Sequence, residues 1–229
     1  MHIPGPLLPA TFLRRDNRFR ATVLLDGTEV AAHVPNSGRL HELFVPGRPV
    51  LVRPVAKPRR KTAYDLVMVR VDGQLVSLDA RLPAPLVAEA VREGRLAEFT
   101  GYTQVREEVR LEHSRIDVLL EGPPGRCWVE AKSVTLVEEG TAYFPDAVTA
   151  RGKRHVETLA RAVARGERGA IVFVVQREDA QRFAPHDASD PAFGQALRAA
   201  ARVGVEVYAY RCRVTPDTIE IAERIPVLL

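Results

Sequence analysis

The chain has 229 residues, 46% hydrophobic and 27% charged, an ordinary balance that excludes a disordered or fibrous protein. No run approaches the roughly 18 consecutive apolar residues of a membrane span, and the start, Met1-His2-Ile3-Pro4-Gly5-Pro6, lacks the regions of a signal peptide. The two cysteines, Cys127 and Cys212, are too few and too far apart for a disulfide framework or a paired-cysteine zinc site, so a reduced, cytoplasmic protein with no disulfide-linked partner is expected. The net charge of +4 is uneven. Residues 1–80 carry 12 Lys+Arg against 7 Asp+Glu, a net of +5, and residues 81–229 carry 21 against 22, a net of −1. A basic first part suggests an anionic partner for it.

In chain order, residues 10–80 read as strands and turns. Phe19–Leu25 and Thr28–Val34 flank Asp26-Gly27, and Val67–Val71 and Gln74–Leu78 flank Asp72-Gly73. Both dipeptides are strong two-residue hairpin signals. With Val50–Val55 this makes about five short strands, enough for a small barrel. Pro83 and Pro85 mark the expected boundary between a domain at 1–82 and another at 83–229. A helix is expected from Pro85 to about Phe99, then strands at Val105–Leu111, Ser114–Leu120 and Cys127–Val134. A helix follows over about Ala150–Gly166, a buried-type strand at Ala170–Val175, a helix opened by Asp190-Pro191, and a strand at Val205–Tyr210. Alternating strands and helices make the second part an α/β domain.

The informative segment is Ser114-Arg115-Ile116-Asp117, followed after a Gly122-Pro123-Pro124-Gly125 turn by Trp128-Val129-Glu130-Ala131-Lys132. If Asp117 pairs opposite Glu130, then Ile116 faces Ala131, Val118 faces Val129 and Leu120 faces Cys127, which makes one apolar face. Asp117, Glu130 and Lys132 then gather on the other. Glu-x-Lys alone is common on solvated strands. Two carboxylates and an ammonium together can hold a hard divalent cation such as Mg²⁺ or Mn²⁺ beside a scissile phosphate, with Lys132 orienting water or stabilising charge.

Asp … Glu-x-Lys on a hairpin resembles the active site of the PD-(D/E)xK nuclease superfamily, although Ile116 stands where the nominal motif has Pro. A wider resemblance is to the sugar fermentation stimulation protein A family. It is carried by Ser114–Asp117, Val129–Leu136, Phe144–Thr149, Arg151-Gly152 with His155, the loop His33–Arg39, and Lys57-Pro58-Arg59-Arg60-Lys61. It covers about residues 10–229 and implies a two-domain α+β and α/β protein: an N-terminal OB-like β-barrel and a C-terminal restriction-endonuclease-like α/β domain, with DNA as partner. A third metal ligand from the preceding helix is typical of the superfamily; Glu89 is preferred over Glu98 and Glu108.

The expected catalytic set is therefore Asp117, Glu130 and Lys132, and the expected metal ligands are Asp117, Glu130 and Glu89. Nucleic-acid contacts are expected from Asn36, Ser37 and Arg39 in a glycine-containing turn, from the cationic loop residues Lys57, Arg59, Arg60 and Lys61, and from Arg151 and His155 at the margin of a helix. The leading expectation is a DNA-binding protein with a Mg- or Mn-dependent phosphodiesterase site. The alternative is a non-catalytic DNA-binding regulator of sugar metabolism genes. Homo-oligomerisation is left open.

Overall fold

The computed structural model describes residues 1–56 and 60–229. Six strands form the first sheet: β1 (Leu8–Asn17), β2 (Arg20–Leu25), β3 (Thr28–His33), β4 (Pro49–Pro54), β5 (Tyr64–Val71) and β6 (Gln74–Ser77), in the order β3-β2-β1-β4-β5-β6. Parallel pairing of β3 with β5, Ala32 to Tyr64 and His33 to Asp65, closes it into a barrel. Closure removes the exposed edges of an open sheet. Both expected hairpins are present, with Asp26 and Gly27, and Asp72 and Gly73, all at positive φ. Strand β1 is an addition to the strands read from sequence, and its pattern explains the omission. Pro9, Arg14, Arg15, Asp16 and Asn17 lie within it, and only Phe12 is fully buried.

The second unit is a six-stranded sheet in the order β15-β14-β12-β9-β8-β7. Its strands are β7 (Gln104–Leu111), β8 (Ser114–Gly122), β9 (Gly125–Val134), β12 (Arg168–Val175), β14 (Glu206–Val214) and β15 (Ile219–Ile225). A small sheet of β10 (Leu136–Glu138), β11 (Thr141–Phe144) and β13 (Arg182–Pro185) sits beside it. Helix α1 (Pro83–Arg92) ends earlier than expected, with Gly94 at positive φ just beyond it, and a separate 3-10 turn spans Ala97–Phe99. Helices α2 (Ala150–Ala164) and α3 (Pro191–Arg202) begin as anticipated, α3 with Asp190 accepting from the Phe193 amide at 3.0 Å.

The helices cover the two faces of this sheet separately. Leu86, Val87 and Ala90 of α1 pack with Val118, Leu120, Val129 and Ala131 on one face. Val156 and Leu159 of α2, and Phe193 and Leu197 of α3, pack with Leu119, Trp128, Ile171 and Phe173 on the other. The first cluster also takes in Val67, Met68 and Leu75 of the barrel, so the two units share a core. Ile3 belongs to that cluster too, and its amide donates to Asp217 O at 2.8 Å. Cys127 and Cys212 are unbonded and buried, and burial pushes both thiols up to about 12. Among the described residues no helix is long and apolar enough to cross a membrane.

Candidate active site

Strands β8 and β9 run antiparallel, with Val118 opposite Val129 and Leu120 opposite Cys127 as expected. The ladder departs from expectation at Asp117. Ile116 joins Leu119 and Trp128 in the cluster under α2, whereas Ala131 stays in the cluster under α1. The neighbouring β7 is irregular at the same point: Glu108 lies at φ 55° between the pairs Glu107–Val118 and Val109–Ile116. In place of a backbone pairing, Asp117 Oδ2 accepts the Ala131 amide at 2.8 Å. The acidic side chain thus satisfies an amide that a regular ladder would have paired.

Glu130 and Lys132 alternate with Ala131 and lie toward α2. Glu130 is only 2% exposed. Its Oε1 receives both Lys132 Nζ and His155 Nδ1, and its Oε2 has no hydrogen-bond partner among the described residues. Burial works against the Glu130 carboxylate, but Lys132 and His155 outweigh it and hold the carboxyl below the usual range. Asp117 behaves oppositely. Burial first, and then the nearby Glu130 charge, push its carboxyl up to about 6.

A cleft of about 440 Å³ opens onto these groups. Asp117, Glu130 and Lys132 line it from the sheet, Arg151 from the first turn of α2, and Arg18 and Ser37 from the barrel. The α2 end is fixed by Thr149, whose Oγ1 accepts the Gly152 amide at 3.0 Å and whose own amide donates to Asp190 Oδ2 at 2.8 Å. The barrel loop is fixed by Asn36: its Nδ2 donates to Leu78 O at 3.1 Å and its Oδ1 accepts the Gly38 amide at 2.8 Å. Behind the loop, the buried Gln176 ties the units together. It receives the Ser77 hydroxyl at 2.9 Å and donates to Asp79 O at 3.1 Å and to Ser133 Oγ at 2.8 Å.

Several expected site residues stand elsewhere. Glu89 is on α1, across the sheet from Glu130, where it takes the Met1 ammonium at 2.9 Å and Arg95 at 3.6 Å. The other two candidates are also occupied, Glu98 by Tyr210 and Arg224 and Glu108 by Arg115. His155 is not at a helix margin. It is 3% exposed, with Nδ1 on Glu130 and Nε2 receiving Arg151 Nε at 3.4 Å, so it orients a carboxylate and cannot reach a polymer outside. Arg39 is exposed but does not line the cleft. Arg60 and Lys61 line a separate groove on the barrel, where Arg60 holds Asp65 at 2.5 Å. Lys57 and Arg59 lie outside the described residues.

Two cleft residues escaped the sequence reading. Arg18 sits in the β1–β2 turn, with no pattern to mark it. Asp146 lies in the segment 144–149 that carried part of the resemblance. Its Oδ2 accepts the Leu40 amide of the barrel at 3.3 Å, so it acts as a clasp between the units.

Asp117 and the free Oε2 of Glu130 are oxygen donors of the kind a hard divalent cation takes. Among the described residues no group of three or more His, Cys, Asp or Glu side chains is arranged to hold a metal. A cation in this cleft would therefore rest on these two carboxylates, with backbone oxygen and water completing its shell, a pattern that suits Mg²⁺.

Known proteins match both units in order. The family described as the SfsA N-terminal OB domain matches residues 13–78, and the sugar fermentation stimulation protein RE domain matches residues 81–218. A sugar fermentation stimulation protein homolog of Geobacter metallireducens is 50% identical over 232 residues, and one of Moorella thermoacetica is 46% identical over 233, each covering 100% of both chains. The solved structure of Pyrococcus furiosus SfsA is 32% identical, covers 100% of this chain and 98% of its own, and superposes with a TM-score of 0.91. The barrel and the α/β sheet described above are thus an OB domain and an RE-type domain, and the chain belongs to the sugar fermentation stimulation protein family.

Proposed function

We propose that this chain is a DNA-binding protein whose RE-type domain, taken as residues 83–229, hydrolyses phosphodiesters with a divalent cation, and whose barrel, taken as residues 1–82, holds the DNA. The observation that carries this reading is the buried, unpartnered Oε2 of Glu130 in a cleft shared with Asp117 and Lys132. A buried carboxylate oxygen without a donor is costly unless something else satisfies it. The Pyrococcus furiosus relative, described in complex with Ca²⁺, supports a divalent cation for this family.

Asp117 and Glu130 would hold Mg²⁺ or Mn²⁺, which when bound neutralises phosphate charge and makes water more acidic. His155 and Lys132 fix the Glu130 carboxylate in place, leaving the other oxygen for the cation. Lys132 has no lone pair to ligate a metal, so its ammonium serves to donate to water or to a phosphate oxygen. Arg18 lines the cleft from the barrel and Arg151 from α2, and both suit the flanking phosphates.

The non-catalytic regulator is the second reading. It is favoured by the small count of carboxylates, since no group of three ligating side chains occurs among the described residues. The test is incubation with supercoiled, linear and single-stranded DNA in Mg²⁺, Mn²⁺ or EDTA. Metal-dependent cutting that Glu130→Gln abolishes supports the enzyme. Tight binding without cutting under any metal supports the regulator.

A further inference from the structure

On the barrel, beside the cleft, lies a second groove of about 580 Å³. Its lining includes Phe19, Arg20, His33, Arg60 and Lys61. Phe19 is 48% exposed. Single exposed apolar residues are common and need no explanation, but here the backbone that carries the ring is held. Its amide donates to Asn17 Oδ1 at 2.9 Å, its carbonyl accepts the Val34 amide at 3.0 Å, and His33 Nδ1 lies 3.0 Å from the same oxygen. The His33 ring lies 6.4 Å from the Phe19 ring, inclined by 28°. The β1–β2 turn therefore places the exposed Phe19 ring beside His33 at the end of β3.

The surrounding charge is positive. Arg20, Arg60, Lys61 and Arg81 face one buried acid, Asp65, which Arg53 and Arg60 already hold at 3.0 and 2.5 Å. Arg20 is ion-paired with Asp16 and Arg81 with Asp79, and both guanidinium groups remain open to solvent. The groove and the cleft also meet along two stretches of chain. Arg18 lines the cleft and Phe19 the groove; Ala80 lines the cleft and Arg81 the groove.

An open aromatic face with cations around it suits an unpaired base and the phosphates beside it, because every base has a stacking face and no particular sequence is required. A paired duplex offers no exposed base face except at its ends. We propose that the groove at Phe19 and His33 is a stacking site for an unpaired DNA strand, which runs past Arg18 into the cleft at Asp117 and Glu130. The substrate is then DNA with a single-stranded segment, a flap or a frayed end, rather than uninterrupted duplex. This rests on the reading of the chain as a DNA-binding protein, and it does not depend on cutting.

The experiment measures binding of the whole chain in EDTA to a labelled oligothymidylate of about 20 nucleotides and to a blunt duplex of about that length. Phe19→Ala should weaken oligothymidylate binding about tenfold or more and leave the duplex within about twofold, with the salt slope unchanged because no charge is removed. Phe19→Leu, which keeps apolar bulk without a ring, should behave like Phe19→Ala. Lys61→Gln should reduce the salt slope. The proposal is overturned if the unaltered chain does not bind the oligothymidylate, if Phe19→Ala leaves that affinity unchanged or lowers both DNAs alike, or if Phe19→Leu binds as the unaltered chain does. A chain that cuts duplex in Mg²⁺ but shows no Phe19 effect loses this proposal and keeps the reading of the site. A chain that stacks on Phe19 but never cuts does the reverse.

Discussion

Asp117, half-buried, and Glu130, buried, are neighbouring carboxyls that hold their protons with opposite strength. Burial and the Glu130 charge raise Asp117 to about 6; Lys132 and His155 keep Glu130 below the ordinary range against the effect of its burial. One acid is supported by the fold and the other is strained by it.

The strain at Asp117 has a sign that can be checked. Its folded pKa lies above its unfolded value, so its ionised form disfavours folding, and stability falls as pH rises from about 4 to about 6. Asp117→Asn keeps the oxygen that accepts the Ala131 amide and removes the charge. In EDTA at pH 8 it should be more stable than the native chain by on the order of 1–3 kcal/mol, the gap closing toward pH 4. Urea midpoints of the two proteins at both pH values give the answer; an equal gap at both would show that desolvation is not the cause.

Glu130→Ala should do the opposite. It removes the carboxylate that Lys132 and His155 share and leaves only Asp117 nearby, and breaking a buried pair in this way costs about 3–5 kcal/mol. Chemical denaturation at neutral pH measures it, and a loss under 1 kcal/mol would mean that the pair relaxes into solvent.

Lys132→Ala separates binding from chemistry. It removes a cation that shares an oxygen of Glu130 with His155, so Mn²⁺ affinity should be kept or improved. If the chain is a nuclease, cleavage should fall about 10²–10³-fold, the usual loss for one group that stabilises charge in the transition state. Calorimetric titration with Mn²⁺ and a cleavage time course on one preparation compare the two effects directly.

Gly38 tests the clasp between the units. A Cβ there would press on the Asp146 carboxylate at closer than van der Waals range, and on Asn36 Oδ1 at 3.0 Å. Gly38→Ala should therefore destabilise by about 1–3 kcal/mol. Combined with Asp146→Ala it should cost less than the two single changes added together. Additive losses in thermal unfolding would show that the two residues do not press on one another.

Much of the fold was legible because local chemistry decided it. Asp26-Gly27 and Asp72-Gly73 allow little but a tight turn, and Asp190-Pro191 allows little but a helix start. Glu130 and Lys132 were legible together because strand alternation puts residues two apart on one face, whereas Asp117 lines the same cleft without the ladder pairing to Glu130 that was expected of it. What failed depends on partners distant in sequence. Glu89 and Glu130 lie on opposite sides of one sheet, and nothing in the α1 sequence says which side that helix covers. His155 looked marginal on a helical wheel, yet Glu130 draws it inward. Strand β1 was hidden by its polar residues, and Asp146 gains its role only where the barrel loop docks.

Gln176 has a consequence for any attempt to exchange parts between relatives. Its side chain bonds Ser77 and Asp79 on one side and Ser133 on the other, and the barrel residues Val67, Met68 and Leu75 sit in the same apolar cluster as α1. A chimaera that takes its barrel from one homologue and its sheet from another would have to rebuild that seam from two sources. Grafting would have to carry Asn36, Gly38, Asp146 and Gln176 together as a single unit of inheritance, although they span 140 positions between the first and the last, 176 − 36.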